Sequence, residues 1–405
     1  MQMEQGDLSR ASENYCHAIE ICRAIGYRYG EARNLFNYGN VFYVQNQISE
    51  ALRYYDEAIA AFCAMGDLRG EANVRANMAT IHHEILGDDV MATAHAESAL
   101  AYFRQANNPI GTAQCLGTLG EVAQRRRNGE TARSLLEEGM STALEAGDRW
   151  IAAQVMACLA NVLLDQRRPE SALERLDTAN AICQELGFKD LAIGLRASRG
   201  LALLMLGQPE AALAATAEAV AHLSPGVERA YRIPFAHYQV LTMLGCADEA
   251  RAALDQAHQL LMKLLSGLSP EQQAMSAMCV PEHRAILAAW QAMQPRRATV
   301  HLAQISAPSG RPLREDEQIE VTWTLSTPEG EASGGQAGRR HYRLLRLLRE
   351  AEEQGAAPTV NDLADALNVS YATIRRDLAA LHRSGQSART QGDRPTGECK
   401  SKRKK

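Results

Sequence analysis

The sequence is poor in aromatic residues and has no long apolar segment. Aromatic side chains make up 5% of its 405 residues, and Ala and Leu, which favour helices over strands, are abundant. No apolar run approaches the roughly 20 residues that span a bilayer. The first residues, Met1–Asp7, lack the basic and apolar parts of a secretion signal. We therefore expect a mainly α-helical protein that resides in the cytoplasm.

The sequence also lacks the motifs of metal sites and of common enzymes. Its nine cysteines include no C-x-x-C pair, so we expect small buried side chains in a reducing compartment. His82, His83 and Glu84 suggest a metal site, but adjacent histidines point about 100° apart on a helix and no H-E-x-x-H is present. The glycine motifs that bind nucleotides and the G-x-S-x-G elbow are missing. We expect no metal, no cofactor and no enzymatic activity.

The formal net charge of −5 is divided unevenly along the chain. Residues 339–405 hold 15 Lys and Arg against 8 Asp and Glu, a balance of +7, so the remainder carries −12. An excess of positive charge in one segment favours a polyanionic partner for that segment. Five of these basic residues lie in the last six positions, so the asymmetry needs a motif to support it.

Small side chains recur with a period of about 40 residues. Each period contains a triplet of positions spaced i, i+4 and i+7, which share one face of a helix. The first position of each triplet is an alanine: Ala11, Ala51, Ala92, Ala132, Ala172, Ala212 and Ala250. About twelve residues earlier, on a partner helix, five of the periods hold a further small residue: Gly39, Ala79, Gly120, Ala160 and Gly200. Turn residues such as Gly66 and Gly147 separate the periods, where helix C-caps are expected.

This pattern resembles the tetratricopeptide repeat, in the variant with longer helices and a unit near 40 residues. The resemblance covers about residues 7–266, and the first unit lacks its leading helix, which suggests that the sequence begins within a longer array. Such stacks form a concave surface that binds peptides, proteins or small effectors. We expect polar and aromatic residues of the leading helices to face it: Asn34, Asn37, Tyr38, Asn77, Asn161 and Arg196. The alternative is that these residues only form a solvated face or hydrogen-bond neighbouring helices.

A connector follows the repeats. Residues 271–293 predict one more amphipathic helix, after which the apolar period changes from 3.6 to 2. Ile319–Leu325 alternates and Val300–Leu302 begins a similar run, so we expect a β-hairpin. A lone hairpin is marginal in water and should pack on a neighbouring domain or a second subunit. The glycine-rich stretch 328–338 predicts a flexible linker and a domain boundary.

Two short helices joined by a tight turn are predicted near the C-terminus. Pro358–Leu367 forms the first, with Thr359 as its N-cap and Asp362 at the capping-box position. After the turn Asn368–Ser370, the second helix covers Tyr371–Leu381. Helices joined so closely must cross steeply, which is the helix-turn-helix, whose second helix enters the major groove of DNA.

The exposed positions of the second helix are the candidate DNA-binding residues. Arg375 and Arg376 can read guanine or contact phosphates, and hydroxyl groups suit phosphates or thymine methyls. The predicted DNA contacts, including one arginine beyond the helix, are Ser370, Tyr371, Thr373, Arg375, Arg376 and Arg389. Asp377 is acidic in a DNA-facing element, so we expect it to pair with an arginine of its own domain.

The stretch resembles the winged helix-turn-helix of DeoR-type repressors over about 50 residues. Their motifs L-A-x-x-L-x-V-S and T-I-R-R-D-L-x-x-L are matched from Leu363 to Leu381. The resemblance implies DNA recognition by Ser370, Thr373 and the two arginines that follow. Gly385–Thr390 is polar where the family has apolar strand residues, which disfavours a formed wing. We expect no sugar-phosphate effector domain of the kind that usually follows this module in the family.

These patterns predict a mainly α protein with a repeat superhelix, a short β-hairpin connector and a C-terminal winged helix-turn-helix. The expected divisions are 1–293 for the repeats, 294–338 for the connector and linker, 339–392 for the DNA-binding domain and 393–405 for a disordered basic tail. The function expected is transcriptional regulation, with double-stranded DNA and a protein or peptide as partners, no membrane, and a homodimer as an open possibility. In the cytoplasm such a regulator associates with the nucleoid when bound to DNA. The alternative is a repeat scaffold whose helix-turn-helix does not bind DNA.

Overall fold

The computed structural model describes residues 5–224, 227, 229–308, 311–327, 335–386 and 390–391. Contacts divide the chain into two units, Met1–Trp290 and Gln291–Lys405. Within the described residues, every helix is too short or too polar to cross a membrane.

The first unit is a TPR-like array of helix pairs joined by short turns. A π-helical turn, His82–Leu86, extends the fourth helix. The helices of the array are α1 (Gln5–Ala24), α2 (Arg28–Val44), α3 (Ile48–Met65), α4 (Leu68–Ile81), α5 (Asp89–Gln105), α6 (Pro109–Arg125), α7 (Gly129–Glu145), α8 (Arg149–Asp165), α9 (Pro169–Leu186), α10 (Lys189–Met205), α11 (Pro209–Ala221), α12 (Arg232–Leu244) and α13 (Ala247–Leu265).

The turns between repeats form for the reasons that the sequence indicates. Gly66 and Gly147 adopt φ of +70° and +75°, a left-handed conformation that costs glycine little. The aspartate that follows each of them, Asp67 and Asp148, caps the next helix by accepting a hydrogen bond from the backbone N–H three residues later, at 3.0 and 2.9 Å. A Gly-Asp pair therefore ends one helix and begins the next.

The small residues lie where paired helices meet, as the period predicts. Ala51 and Ala132 are fully buried. On the partner helix, a Cβ atom at Gly120 would lie 2.6 Å from Cγ of Leu136, closer than van der Waals contact allows. Tight approach of the two helices thus depends on these positions, and the TPR-like architecture expected from the sequence is confirmed.

The single helix predicted for residues 271–293 is wrong. The structure has two helices there, α14 (Pro270–Cys279) and α15 (Pro281–Met293). Val280 between them is extended, with φ −84° and ψ 114°. The cause is Pro281, which has no N–H to donate and whose ring excludes the preceding residue from the helical conformation.

The prediction that the helical cysteines are buried is only partly right. Cys22, Cys115 and Cys183 are buried, but Cys16, Cys63 and Cys279 are exposed. The reason is clear on α3, where Cys63 follows the buried Phe62. Successive helical residues point about 100° apart, so the thiol faces solvent.

In its described residues the second unit combines a small sheet with three α-helices and a short 3₁₀ helix, Glu315–Glu317. Its strands are β1 (Arg296–Gln304), β2 (Gln318–Ser326) and β3 (Ala356–Ala357), in the order β2–β1–β3 with antiparallel pairing throughout. Val300 pairs with Val321, and Ala303 pairs with Ala357. The helices are α16 (Gln336–Glu353), α17 (Val360–Leu367) and α18 (Tyr371–Arg383).

The hairpin predicted as a connector shares its core with these helices. Leu302, Val321 and Trp323 pack with Leu344 and Leu347 of α16. The indole Nε1 of Trp323, which is 1% exposed, donates a buried hydrogen bond to the carbonyl of Leu347 at 2.9 Å. The hairpin therefore packs on the helices that follow it in the same chain. Of the predicted linker, residues 328–334 lie outside the described part, and α16 already begins at Gln336.

The outer edge of this sheet is covered by side chains of α16. Gln354, which follows the helix, hydrogen-bonds both the N–H and the carbonyl of Thr322, at 2.9 and 3.0 Å. The carboxylate of Glu350 accepts a hydrogen bond from the N–H of Thr324 at 2.7 Å, and Arg346 donates to the carbonyl of Thr324 at 3.1 Å. Unpaired strand edges invite pairing with other chains, and these contacts occupy backbone groups of β2 that such pairing would use.

Candidate functional site

The turn between α17 and α18 is built by local hydrogen bonds. Thr359 and Asp362 form the predicted capping box, with the Thr359 N–H donating to the Asp362 carboxylate at 2.7 Å. Asn368 ends α17 with φ +52°, a left-handed conformation that asparagine tolerates. Ser370 caps α18 by accepting from the N–H of Thr373 at 3.3 Å. The predicted helix-turn-helix is therefore formed, and its recognition helix starts at Tyr371.

The recognition helix α18 divides cleanly into two faces. Ile374, Leu378 and Leu381 are buried in the core of the unit. Arg375 and Arg376 are exposed, and neither makes an ion pair with a residue that the structure describes. Two exposed guanidinium groups near the start of a helix can bind phosphates or the guanine edge of the major groove.

The hydroxyl residues predicted to contact DNA lie at the start of the same helix. Tyr371 is 48% exposed, and Ser370 is exposed at the N-cap. Thr373 is partly buried, and its hydroxyl lies 2.9 Å from that of Ser370. The structure thus brings five of the six predicted DNA contacts together, and Arg389 lies outside the described residues.

Asp377 fixes the recognition helix against α16. Its side chain is 6% exposed and forms an ion pair with Arg340, and His341 Nε2 lies 3.1 Å from its second oxygen. Burial acts to raise the pKa of Asp377, but the hydrogen bonds from Arg340 and His341 outweigh it and lower that pKa. The prediction that Asp377 pairs with an arginine of its own domain is confirmed.

Part of the segment after the recognition helix returns to the sheet. Thr390 is buried, and the N–H of Gln391 donates to the carbonyl of Pro358 at 2.9 Å, next to β3. Residues 387–389, within the segment where the family has its wing, lie outside the described residues.

In the array, the leading helices of successive repeats form the inner layer. The contacts α4–α6, α6–α8, α8–α10 and α10–α12 join leading helices directly. Asn77 on α4 donates to Asn40 on α2 at 3.1 Å, and Ser198 on α10 donates to Asn161 on α8 at 3.4 Å. In a curved stack the helices that converge lie on the inside, so the leading helices line the concave side.

The six predicted groove residues are all partly buried on these leading helices. Tyr38 packs among aromatic rings, 4.7 Å from that of Phe42 and 4.6 Å from that of Tyr54. Arg196 lies 3.5 Å from Glu218, and Asn34 donates weakly to the Cys22 thiol at 3.7 Å. Asn37 is partly buried on α2. A ligand-binding role for the six stays a prediction.

The inner side also holds an ion cluster that the sequence does not suggest. Arg229, between α11 and α12, lies 3.3 Å from Glu84 of the π-helical turn and 3.2 Å from Glu121 of α6. Burial acts to raise the pKa of Glu121, but Arg229 and neighbouring cations lower it to about 2. The partners are 108 or more positions apart, so no local pattern could reveal them.

The histidines that suggested a metal site have other partners. His83 Nδ1 lies 3.0 Å from Asp89, whose carboxylate also accepts from Arg125 at 2.8 Å. His82 instead lies 3.8 Å from Asp88. In the part of the chain that the structure describes, acidic, histidine and cysteine side chains form no group that could hold a metal ion.

Two family models match parts of the chain. Residues 340–393 match the DeoR-like helix-turn-helix domain, and residues 4–146 match the soluble NSF attachment protein, SNAP. Neither match covers half of the chain, and no curated protein matches it.

Solved structures that resemble the chain share little sequence with it. A Rap protein in complex with competence and sporulation factor is 15% identical, covering 73% of this chain and 90% of that one, with a TM-score of 0.49. Aspartyl phosphate phosphatase F from Bacillus subtilis is 14% identical over 67% and 70% of the two chains, with a TM-score of 0.49. A tetratricopeptide repeat protein from Parabacteroides merdae is 17% identical over 65% and 93%, with a TM-score of 0.44.

The chain thus joins TPR-like helical repeats to a DeoR-like helix-turn-helix domain. The helix-turn-helix domain is that of a DNA-binding regulator. Neither matched family model describes an enzyme.

Proposed function

We propose that this protein regulates transcription by binding operator DNA through α18, under the control of a protein, peptide or small effector bound to its repeats. The observation that carries the proposal is the outward pair Arg375 and Arg376 on a helix that Asp377 holds by its opposite side. A helix with this division can enter the major groove while its position stays fixed by its own domain.

Retardation of genomic DNA fragments by the full chain, measured across salt concentrations, tests the proposal. Each phosphate neutralised contributes about −0.9 to the slope of log K against log salt, so about six contacts give a slope near −5. Selected sequences should bind far more tightly than bulk DNA. No retardation at low salt would contradict DNA binding and favour the scaffold alternative.

Arg376→Ala should weaken specific binding by about 1–3 kcal/mol. Arg349→Ala is the matched control, because it removes the same charge from an exposed position of α16. Arg349 lies nine residues after Arg340, which is about 13 Å along the helix. The control substitution therefore leaves the contact between Arg340 and Asp377 in place. We expect the control to change affinity less than twofold and both variants to melt like the parent.

Two further features are part of the proposal. A single helix-turn-helix reads a short half-site, and paired half-sites require two recognition helices, so we propose that the regulator acts as a homodimer. We also propose that it works in the cytoplasm and associates with the nucleoid when bound to DNA. Sedimentation of the protein with a half-site and with a paired site distinguishes one bound copy from two.

A further inference from the structure

The last repeat of the array touches the second repeat. Asn46, between α2 and α3, donates through its side-chain amide to the carbonyls of Lys263 and Leu264, at 2.6 and 3.1 Å. Ser49 donates to Gln272 at 2.7 Å. These partners are 217 to 223 positions apart in the sequence. The stack therefore curves through a full turn and closes into a ring.

We call the contact formed by Asn46, Ser49, Gly267 and Gln272 the seam. At its centre the two backbones approach so closely that a Cβ atom on Gly267 would overlap the carbonyl oxygen of Asn46. Beside it lies an open cleft of about 320 Å³, whose lining includes Gln47, Glu50 and Ser266. The seam is thus polar and reached by water, so its hydrogen bonds compete with solvent.

The ion pairs on the inner side bridge the ring more firmly. Arg229 joins Glu84 and Glu121, whose side chains are 10% and 13% exposed. Removing Arg229 would take away the cation that contacts both of these poorly exposed carboxylates, which is costly. The same end of the array also packs α14 on the π-helical turn, where the buried Ser276 hydroxyl donates to the carbonyl of Ile85. Of these three contacts the seam is the most exposed to water, and it is where we expect opening to begin.

We propose that the seam is a gate: the array rests as a closed ring, and separation of the seam admits a peptide or protein segment to the inner side. The proposal rests on the proposed function only in taking the repeats as the ligand-binding part. Separation at the seam breaks its hydrogen bonds and requires α14 to leave the π-helical turn, but it keeps the helix pairs of the repeats intact. Separation at the seam also widens the entrance to the inner side of the array, which the leading helices line.

Cys158 on α8 provides a built-in reporter of access to the inner side. It lies close to Glu121 and Arg229, and burial together with Glu121 raises its pKa well above the usual range. Its thiol is partly buried, whereas Cys16, Cys63 and Cys279 are exposed. A maleimide joined to a polymer of roughly 5 kDa is too bulky to enter the cleft. It should therefore label the exposed cysteines first and Cys158 only when the ring opens.

The experiment measures labelling of Cys158 in the full chain by mass spectrometry of peptides. Gly267→Ala forces the backbones of the seam apart. Asn46→Gly removes the side-chain hydrogen bonds and tolerates the left-handed backbone at this position, φ +61°, so it serves if the first variant does not fold. Gly194→Ala is the matched control, because a Cβ atom there meets nothing within 4 Å. We expect both seam variants to label Cys158 at least tenfold faster than the parent and the control to stay within twofold.

Hydrogen exchange at Ser266–Leu268, measured on the same samples, reports the seam itself. Faster exchange there in both seam variants is expected. If exchange rises while Cys158 labelling is unchanged, or if neither changes, the seam is not a gate. A third variant, Arg229→Ala, separates the two contacts: rapid labelling in this variant alone would assign access to the ion pairs and overturn the proposal. No step uses DNA, so failure of DNA binding would leave these outcomes readable.

Discussion

The side chain of Asp377 fixes the orientation of α18, the helix that we propose binds DNA, through its contacts with α16. Helical residues one position apart point about 100° apart, so burying Asp377 against α16 turns Arg375 and Arg376 outward. The sequence identifies these residue types and their spacing. It identifies an arginine as the partner of Asp377, but His341 as a second partner depends on the way α16 crosses α18, which only the structure supplies.

Replacing Asp377 tests this positioning role. Asp377→Asn keeps the size of the side chain but loses the charge, so the hydrogen bonds from Arg340 and His341 weaken. We expect the second unit to lose about 1–3 kcal/mol of unfolding free energy and DNA affinity to fall. The conservative Asp377→Glu should restore part of both if the ion pair is what positions the helix. Denaturant unfolding and DNA retardation measure the two effects, and an unchanged affinity in Asp377→Asn would contradict the role.

Among the elements, those with local signals are predictable from the sequence, and those that depend on distant partners are not. The capping box at Thr359 and the caps at Gly66–Asp67 involve residues three positions apart or fewer, so the sequence shows them. The hairpin strands are equally visible. Their packing on α16 is not, since it depends on Trp323 meeting the carbonyl of Leu347. The break before Pro281 has a local signal, the proline itself, but the helical spacing of the apolar residues around it predicted one continuous helix.

The hairpin should be essential to the DNA-binding unit. Trp323→Ala removes the largest fully buried side chain of its core, and such truncations cost about 3–5 kcal/mol. We expect lower unfolding free energy in the second unit and loss of DNA binding at moderate temperature. Ile305→Ala, at a hairpin residue that is 58% exposed, is the control and should change stability by less than about 0.5 kcal/mol. Equal stability of the two variants would show that the hairpin is dispensable.

Two glycines on α10 should respond oppositely to the same substitution. A Cβ atom at Gly200 would collide with the methyl group of Thr216 and lie 3.1 Å from the carbonyl oxygen of Ala212. Thr216 is fully buried and cannot move aside. We expect Gly200→Ala to destabilise the array by about 1–3 kcal/mol. Gly194 faces open space, so Gly194→Ala should stabilise the helix by about 0.5–1 kcal/mol. Thermal unfolding of the two variants provides the comparison.

At the scale of the whole array, the period of 40 residues predicts the repeats but not the closure of the ring. Each repeat adds a small rotation to the stack, and the seam depends on the sum over all of them. Asn46 and Lys263 meet across 217 positions, and Arg229 reaches Glu121 across 108. Small changes of angle per repeat would separate both pairs. Such contacts follow from geometry accumulated along the chain, and no motif marks them.

The two units should lose stability over different ranges of pH. Burial lowers the pKa of His95 and of His283 to about 4, below the value near 6.5 of an unfolded histidine. Such a group stabilises the folded state fully above about pH 6.5, and that stability is lost as the pH falls towards 4, by about 3 kcal/mol per histidine. In the second unit the lowered pKa of Asp377 gives stability that is lost only below about pH 4.

The array should therefore unfold first on acidification. Hydrogen exchange followed by mass spectrometry from pH 7 to pH 3 reads the two units separately, because their peptides do not overlap. We expect protection of the array to fall from about pH 6 downward and that of the second unit to persist until about pH 4. His95→Gln and His283→Gln remove the titrating groups, so both should flatten the decline of the array without shifting that of the second unit. Simultaneous loss of protection in the parent would show that other groups control acid unfolding.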